Sequence, residues 1–335
     1  MDPLTQGVIG AALPQAVARK PKIIAAGLFG FVAGMVPDLD VLIQSEVDPL
    51  LYLEYHRQFT HSFIFIPIGG LMCAAVFQLL LGRFFDLSFK QTWFFCALGV
   101  GTHGLLDAFT SYGTMLFWPF SDARFSWKIV SVVDPLFTVP IVLLLVLSLW
   151  KRRPGFAQLG LLWAGLYLGL GFMQQQSAIA MGNALAAERG HTPIRIEAKP
   201  SFANLLVWKT VYETDDKFYI DAVRVRIGPQ VFEGASIPKL DVARDFPWLQ
   251  VGTQQADDIE RFRWFSDNYV ARDPINPDRI IDVRYSMVPN EIAALWSIGL
   301  DPAAPADKHV DFSTHRGDVK PATARLKGLI FAPTN

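Results

Sequence analysis

Cysteine is scarce in this chain: 335 residues carry two, Cys73 and Cys96, and both fall inside apolar runs. Each is expected to act as a small buried hydrophobe instead of joining a disulfide or holding a ligand. Charge is scarce too, at 18% of residues, and it nearly cancels to a net of −1. No basic cluster is interleaved with aromatic residues, so nucleic acid is not an expected partner. A basic leader followed by a small-residue cleavage site is also missing. The start, Met1-Asp2-Pro3-Leu4-Thr5-Gln6-Gly7, is acidic and turn-like, so this segment is expected to be retained. Internal repeats and low-complexity runs are absent.

What the chain has in excess is apolar sequence, 51% of residues, and its distribution is uneven. Residues 1–180 hold nearly all the long apolar runs, whereas 181–335 have the mixture of an ordinary soluble domain. Crossing a bilayer as a helix takes about 20 predominantly apolar residues, with a range of about 17–25. Residues 63–82, 92–109, 132–150 and 156–174 meet that length. The shorter runs 7–18 and 23–36 form either two further crossings or a broken hairpin. The expected fold class is therefore a mainly α-helical integral membrane domain of about four to six transmembrane helices, followed by a small α+β soluble domain.

Loop charge supplies a topology. Arg19, Lys20 and Lys22, the 83–90 loop, and Lys151, Arg152 and Arg153 fall on alternate connections, as the excess of Lys and Arg in cytoplasmic loops requires. With six crossings, the N-terminus, residues 37–62, residues 110–131 and the C-terminal domain share the extracytoplasmic side. Asp2, Asp38, Asp40, His56, His61 and Asp107 then gather at one membrane face.

In the soluble part, residues 204–213 and 217–227 are rich in β-branched and aromatic side chains and flank Thr214-Asp215-Asp216, which predicts a hairpin. Val223, Val225 and Ile227 alternate with Arg224 and Arg226, predicting one buried and one wet face. Residues 257–268 predict a helix and 279–287 a strand, and the tail from Asp301, rich in Pro and Ala, predicts irregular chain. His191, His309 and His315 have no partner spacing and are expected on the surface.

Candidate chemistry lies in the first half. His103 and Asp107, four apart in a helical run, project from one face as imidazole and carboxylate, a common pair for a divalent metal. Placing such groups near the bilayer centre costs about 2.5–3.5 kcal/mol each on insertion scales, so they are expected to line an interior. The simpler reading is a packed polar pair across one turn. His56 and His61 stand five apart in His56-Arg57-Gln58-Phe59-Thr60-His61-Ser62. On a continuous helix that would set them about 140° apart. They converge only if the segment breaks, and Thr60 and Ser62 are candidate N-caps for a helix beginning near His61. The competing reading makes them interfacial residues, with Arg57 on lipid headgroups. Asp38 and Asp40 share a face if their segment is extended, and are plain solvated charges if it is a loop. Asp134 is equally a helix cap or a site residue.

These pieces, in this order, resemble the YdjM-type family of inner-membrane metal-dependent hydrolases. The resemblance covers residues 1–137. It rests on Asp2-Pro3-Leu4-Thr5, Val36-Pro37-Asp38-Leu39-Asp40, His56 to Ser62, His103 through Asp107 to Tyr112-Gly113-Thr114, Trp118-Pro119-Phe120-Ser121 and Asp134-Pro135. It implies a bacterial inner-membrane protein holding one or two divalent ions, with zinc the expected metal, on Asp38, Asp40, His56, His61, His103 and Asp107. Asp38, Asp40 and His61 are the candidates for catalysis. The chain departs from the family where Gln6 replaces the usual His, and a neutral amide is a poorer ligand than imidazole.

The expected activity is hydrolysis of a phosphoester or lipid-linked substrate by metal-activated water, at a site opening at headgroup level beside Arg57 and Arg124. Membrane lipid is the expected partner. Two other classes stand beside it: a transporter using His103 and Asp107 in a cation or proton path, and a degenerate membrane scaffold.

Overall fold

Asp2 starts the first helix. Its carboxylate accepts the Thr5 N–H at 3.1 Å, and Pro3, which has no N–H to lose, takes the first turn of α1 (Pro3–Val17). A 3-10 turn, Lys20–Lys22, leads into α2 (Ile23–Met35), which passes into a second 3-10 turn, Val36–Leu42. The short α3 (Leu51–Tyr55) and a 3-10 turn at Phe59–His61 precede α4 (Phe65–Phe85). A capping box between Ser88 and Gln91 opens α5 (Phe89–Ala108). Asp134 opens α6 (Pro135–Lys151), accepting the Leu136 and Phe137 N–H groups and the Tyr167 hydroxyl. The structure thus makes Asp134 a cap. The last of these helices is α7 (Pro154–Glu188).

The computed structural model describes residues 1–225, 228–315, 317 and 319–333; the side chain of Arg83 lies outside the described atoms, as do Arg226 and Ile227 of the expected strand. Helices occupy all six apolar runs, but by length and apolarity only two described segments can cross a bilayer, Lys20–Leu42 and Pro154–Glu188. A third is available if Leu51–His61 and Phe65–Leu81, bent by 83°, count as one. The 15 residues of α1 fall short of a crossing and α6 has 17. Length and composition therefore support two or three candidate spans among the described residues and leave the larger expected number open.

Glycine lets three of these helices touch by their backbones. A Cβ on Gly10 would meet the Gly30 carbonyl oxygen at 2.6 Å, and one on Gly99 would meet the same oxygen at 2.5 Å. α1, α2 and α5 are packed closer than side chains allow. Beside that contact, Phe29, Ala33, Cys73, Ala74, Cys96 and Val100 form a core, with Phe77 stacked on Phe29 at 4.8 Å. Both cysteines are free and buried, as expected.

The chain divides into two compact units: Met1–Ile43 with Tyr55–Met173 and Phe202–Asn204, and Gln44–Glu54 with Gln174–Ser201 and Leu205–Asn335. The second unit contains two antiparallel four-stranded sheets. The first sheet is β1 (Arg195–Pro200), β2 (Val207–Glu213), β3 (Lys217–Arg224) and β4 (Gln230–Pro238), in that order. The β2–β3 hairpin is the expected one. After α8 (Val242–Asp245) and α9 (Gln254–Phe265) come β5 (Val270–Arg272), β6 (Arg279–Asp282), β7 (Trp296–Gly299) and β8 (Asp311–Thr314), the second sheet, and finally α10 (Val319–Phe331).

Several expectations for this unit are overturned. Arg224 is 3% exposed, not wet, because its guanidinium donates to the Gly228 and Ala332 carbonyls and to Gln230. Strand β6 stops at Asp282, whose carboxylate turns to accept the Arg284 N–H at 3.0 Å. The tail is not irregular throughout: beyond the Pro- and Ala-rich stretch 302–306, β8 pairs with β7 and Ala322 and Leu326, four apart, bury one side of α10. The three histidines all have partners: His191 with Tyr212 at 2.9 Å, His309 with Asp258 at 2.9 Å and His315 with Ser297 at 2.8 Å.

The excursion Gln44–Glu54 belongs to this second unit. Leu50 and Leu53 are buried in a core with Leu240, Phe246, Ile259 and Phe262. Burying a leucine stabilises by about 1.5–3 kcal/mol, more than a partly exposed ion pair at roughly 0–1 kcal/mol, so the two leucines supply most of the anchorage.

Lys199 and Lys209 face each other across β1 and β2, and both are buried. Lys209 Nζ donates to Ser286 Oγ at 2.8 Å and to the Glu291 carbonyl at 2.9 Å. Burial pushes Lys209 down to about 7 against the attraction of Asp282, and burial together with Lys209 holds Lys199 well below the ordinary lysine range. Between pH 7 and the ordinary lysine pKa of about 10.4, the unfolded chain binds protons that the folded unit does not, so stability rises with pH there. Thermal unfolding of the second unit is expected to shift upward from pH 7 to pH 9, with the shift reduced in Lys209→Met. A flat profile in the wild type would contradict the burial of these amines.

Candidate metal centre

The site is assembled from two breaks in helical chain and one intact helix. In the 3-10 turn Val36–Leu42, successive residues are roughly 120° apart, so Asp38 and Asp40 point to different sides. This corrects the extended reading, in which both carboxylates would share a face. Asp38 goes to the imidazoles of His61 and His103, and Asp40 goes to His56, whose Nδ1 lies 2.7 Å from Asp40 Oδ1.

The second break is the expected one at His56 to His61, but its detail differs. α4 begins at Phe65, after a 3-10 turn, and neither Thr60 nor Ser62 caps it. Thr60 instead donates its hydroxyl to Asp40 Oδ2 at 2.8 Å, and Ser62 donates to the Phe59 carbonyl at 2.7 Å. Arg57, at φ 67°, occupies the left-handed region and turns the chain back, its N–H donating to Asp40 Oδ2 at 3.0 Å. From α5, His103 and Asp107 project together as the spacing requires. A Cβ on Gly104 between them would strike the His61 carbonyl oxygen, so the His61 loop rests on bare helix backbone.

Hydrogen bonding fixes which imidazole nitrogens face inward. His103 Nδ1 lies 2.6 Å from the Gly34 carbonyl, which can only accept, so Nδ1 carries the proton. His61 Nδ1 meets Thr60 Oγ1 at 2.9 Å and Asp40 Oδ2 at 3.2 Å; since Thr60 spends its own proton on Asp40, His61 Nδ1 is the donor here too. Neutral rings so held turn two Nε2 lone pairs on each other at 2.9 Å. That contact is repulsive unless a proton or a metal cation lies between the rings.

Two carboxylates complete the ring of donors. Asp38 Oδ1 is 3.2 Å from His103 Nε2 and 3.5 Å from His61 Nε2, and Asp107 Oδ2 is 3.3 Å from His61 Nε2. A tetrahedral ion with bonds of about 2.0–2.1 Å needs donors roughly 3.3 Å apart, so the spacings suit one. Donor atoms of Asp38, His61, His103 and Asp107 all lie within 4.8 Å of one another, and Asp38, Asp40 and His56 form a second such group. All six residues expected as ligands are therefore brought together, in two groups sharing Asp38. Asp2 stays outside as the α1 cap.

Charge points the same way. The cluster holds three carboxylates, Asp38, Asp40 and Asp107, and two cations, the Arg57 guanidinium, whose Nε is 3.0 Å from Asp107 Oδ2, and the Met1 amine, which contacts Asp107 Oδ1. With neutral imidazoles the carboxylates outnumber these cations, and Asp107 Oδ2 is buried without a well-aligned hydrogen bond. Arg57 offsets part of the cost of that buried oxygen, and a metal ion among the same donors would offset the rest.

Sequence reasoning missed several parts. Arg57 is 6% exposed and bonded to Asp107 and Thr110, so it is not on lipid headgroups, and Arg124 donates to the Tyr112 carbonyl at 2.5 Å. Gln6 is not a vacant position: its Nε2 donates to Asp107 Oδ1 at 2.8 Å, so it orients a ligand where a His could have been one. The arginine stood within the His-rich stretch and could have been weighed as a partner for Asp107; Gly34 and Gly104 gave no sign of their roles.

The family model described as YdjM inner membrane protein matches residues 1–178. The chain is similar to the inner membrane protein YbcI of Escherichia coli, at 30% identity over 152 residues, 43% of this chain and 84% of that protein. It is also similar to the uncharacterized protein YfhP of Bacillus subtilis, at 25% identity over 311 residues, 85% of this chain and 87% of that one. No solved structure matches it.

Because no Cβ fits at Gly104, Gly104→Ala is expected to lift the His61 loop from α5. Overpacking of this kind costs about 1–3 kcal/mol. The expected result is a lower melting temperature in detergent together with loss of bound divalent metal; wild-type values of both would contradict the close approach.

Proposed function

The chain belongs to the YdjM inner membrane protein family, and from the cluster in its matched region we propose that it is a membrane-embedded metal-dependent hydrolase. The observation that carries this reading is the pair of Nε2 atoms, His61 and His103, facing each other at 2.9 Å with both Nδ1 positions committed as donors. His61, His103 and Asp107 would hold the ion, zinc by the mix of two imidazoles and a carboxylate, leaving a fourth position beside Asp38 for water. When bound, such an ion acts as a Lewis acid and makes water a usable nucleophile near neutral pH.

The chain's own residues would do the rest. His61 has both ring nitrogens engaged and its side chain is fully buried, which suits a ligand more than a proton acceptor. Asp38 and His56 are the open members, with side chains 23% and 21% exposed, so substrate would approach past them. Asp38, shared by both groups, is then the carboxylate placed to accept a proton, with Asp40 holding His56 in orientation. A phosphoester or lipid-linked substrate suits a site set among apolar helices. Arg57 no longer supports that choice, since it is spent on Asp107.

The alternating basic loops support a bacterial inner-membrane topology of several crossings with the C-terminal domain outside the cytoplasm. The test is metal content of the protein purified in mild detergent, with His61→Ala and Asp107→Ala alongside, followed by hydrolysis assays on phosphoesters and lipid-linked esters. About one divalent ion per chain is expected in the wild type and little in either variant. Equal and negligible metal in all three would remove the basis of the reading, and ion flux in liposomes without hydrolysis would turn it toward transport.

A further inference from the structure

Between Asp40 and His56 the chain leaves the helical unit and returns to it. Residues Gln44–Glu54 pack with the second unit, while Met1–Ile43 and the chain from Tyr55 onward pack with the first. The excursion is not slack. Ser45 Oγ accepts the Val47 and Asp48 N–H groups, Asp48 Oδ1 accepts the Leu50 N–H, and Leu50 and Leu53 are buried in the core around Phe262.

One side chain grips it from α9. Arg261 donates through Nη1 and Nη2 to the two oxygens of Asp48 at 3.0 and 2.7 Å, and through Nε to Glu54 at 2.5 Å. Its Nη1 also donates to Asp258 at 2.7 Å. Asp258 is fully buried and is itself held by the Val310 N–H at 3.1 Å and by His309 at 2.9 Å. The guanidinium therefore reaches the excursion already oriented, and its planar fork fixes direction as a lysine could not.

We propose that Arg261 is a positioning residue for the metal centre: by clamping Asp48 and Glu54 it fixes where the chain re-enters at His56 and leaves at Asp40. Only Tyr55 separates Glu54 from His56, and a chain spans at most about 3.3–3.6 Å per residue, so a shift of Glu54 has little slack in which to be absorbed. α3 (Leu51–Tyr55) stiffens the same stretch. Without Arg261, Asp48, Glu54 and Asp258 lose the cation they share, and His309 is left as the ionisable partner of Asp48 and Asp258. Leu50 and Leu53 would keep the excursion in its core, but Asp48 and Glu54 would be free to part, and the ends of the excursion toward Asp40 and His56 would shift with them. This inference rests on the metal-centre reading, and its test separates the two.

The probe is Co²⁺, titrated into the full-length protein in detergent and read by visible absorption, with Arg261→Met, Arg261→Lys, Arg189→Met and the double change Asp48→Asn with Glu54→Gln. Arg189 pairs with Asp221 in the first sheet and serves as the control for loss of a paired arginine elsewhere in the unit. Arg261→Met and the double variant are expected to weaken Co²⁺ binding roughly 10-fold or more and to alter the spectrum, as loss of residues that orient ligands does. Arg261→Lys should recover part of both, and Arg189→Met should match the wild type. Wild-type affinity and spectrum in Arg261→Met and the double variant would overturn the inference while leaving the metal centre intact. An equal loss in Arg189→Met would overturn it as well, by reducing the effect to general destabilisation. No Co²⁺ binding by the wild type would overturn the metal-centre reading and this inference together.

Discussion

The Gly104 backbone has to lie bare under the His61 carbonyl, and most of the helical unit follows from that contact. His103 and Asp107 stand one turn apart on the same helix and can face His61 only if the loop carrying it comes down onto α5. The glycines at 10, 30 and 99 do the same between α1, α2 and α5, and they bring Gly34 near enough to take the His103 proton. Small residues at helix contacts are what allow packing where water gives no hydrophobic drive between apolar surfaces. Here the gain in packing is also what places a carbonyl against an imidazole and so decides its tautomer.

Much of this was legible in the sequence, and the reason is periodicity. Apolar runs marked all six long helices, and the spacing of His103 and Asp107 needed only 3.6 residues per turn to be read correctly. The break between His56 and His61 was legible for the opposite reason, since an unbroken helix would have separated them. What periodicity could not show was the geometry of the breaks. Asp38 and Asp40 read as extended, yet they lie in a 3-10 turn because Val36–Leu42 continues α2 with tighter winding. Thr60 read as a cap, yet its hydroxyl is worth more on a buried carboxylate than at a helix end already served by other turns. Gln6 read as a lost ligand, and only its distance to Asp107 shows it working as a donor.

In the second unit the misreadings share one cause. Alternation predicts a wet face only when nothing covers it, and sequence does not say what covers a sheet. All of β2 is buried, so its hairpin partner β3 has little wet surface, and Arg224 ends among carbonyls instead of in water. The histidines at 191, 309 and 315 were isolated in sequence and are partnered in space for the same reason. Long-range pairing is invisible to local spacing.

Both units bury ionisable groups, and they answer the cost differently. In the second unit, Lys199 and Lys209 can lose protons, and Arg284 sits on Asp282 with its charge met at 2.7 Å. Protein groups suffice there. In the helical unit the surplus is of carboxylates, and each imidazole has already committed its Nδ1 proton outward to Gly34, Thr60 or Asp40. The proton donors that could quiet Asp107 are used, and its Oδ2 still lacks a well-aligned one. A second guanidinium would balance the charge but could not fit between two Nε2 atoms 2.9 Å apart. An ion small enough to be gripped by four converging atoms can, which is why the same arrangement that is unsatisfactory as a hydrogen-bond network is satisfactory as a ligand set.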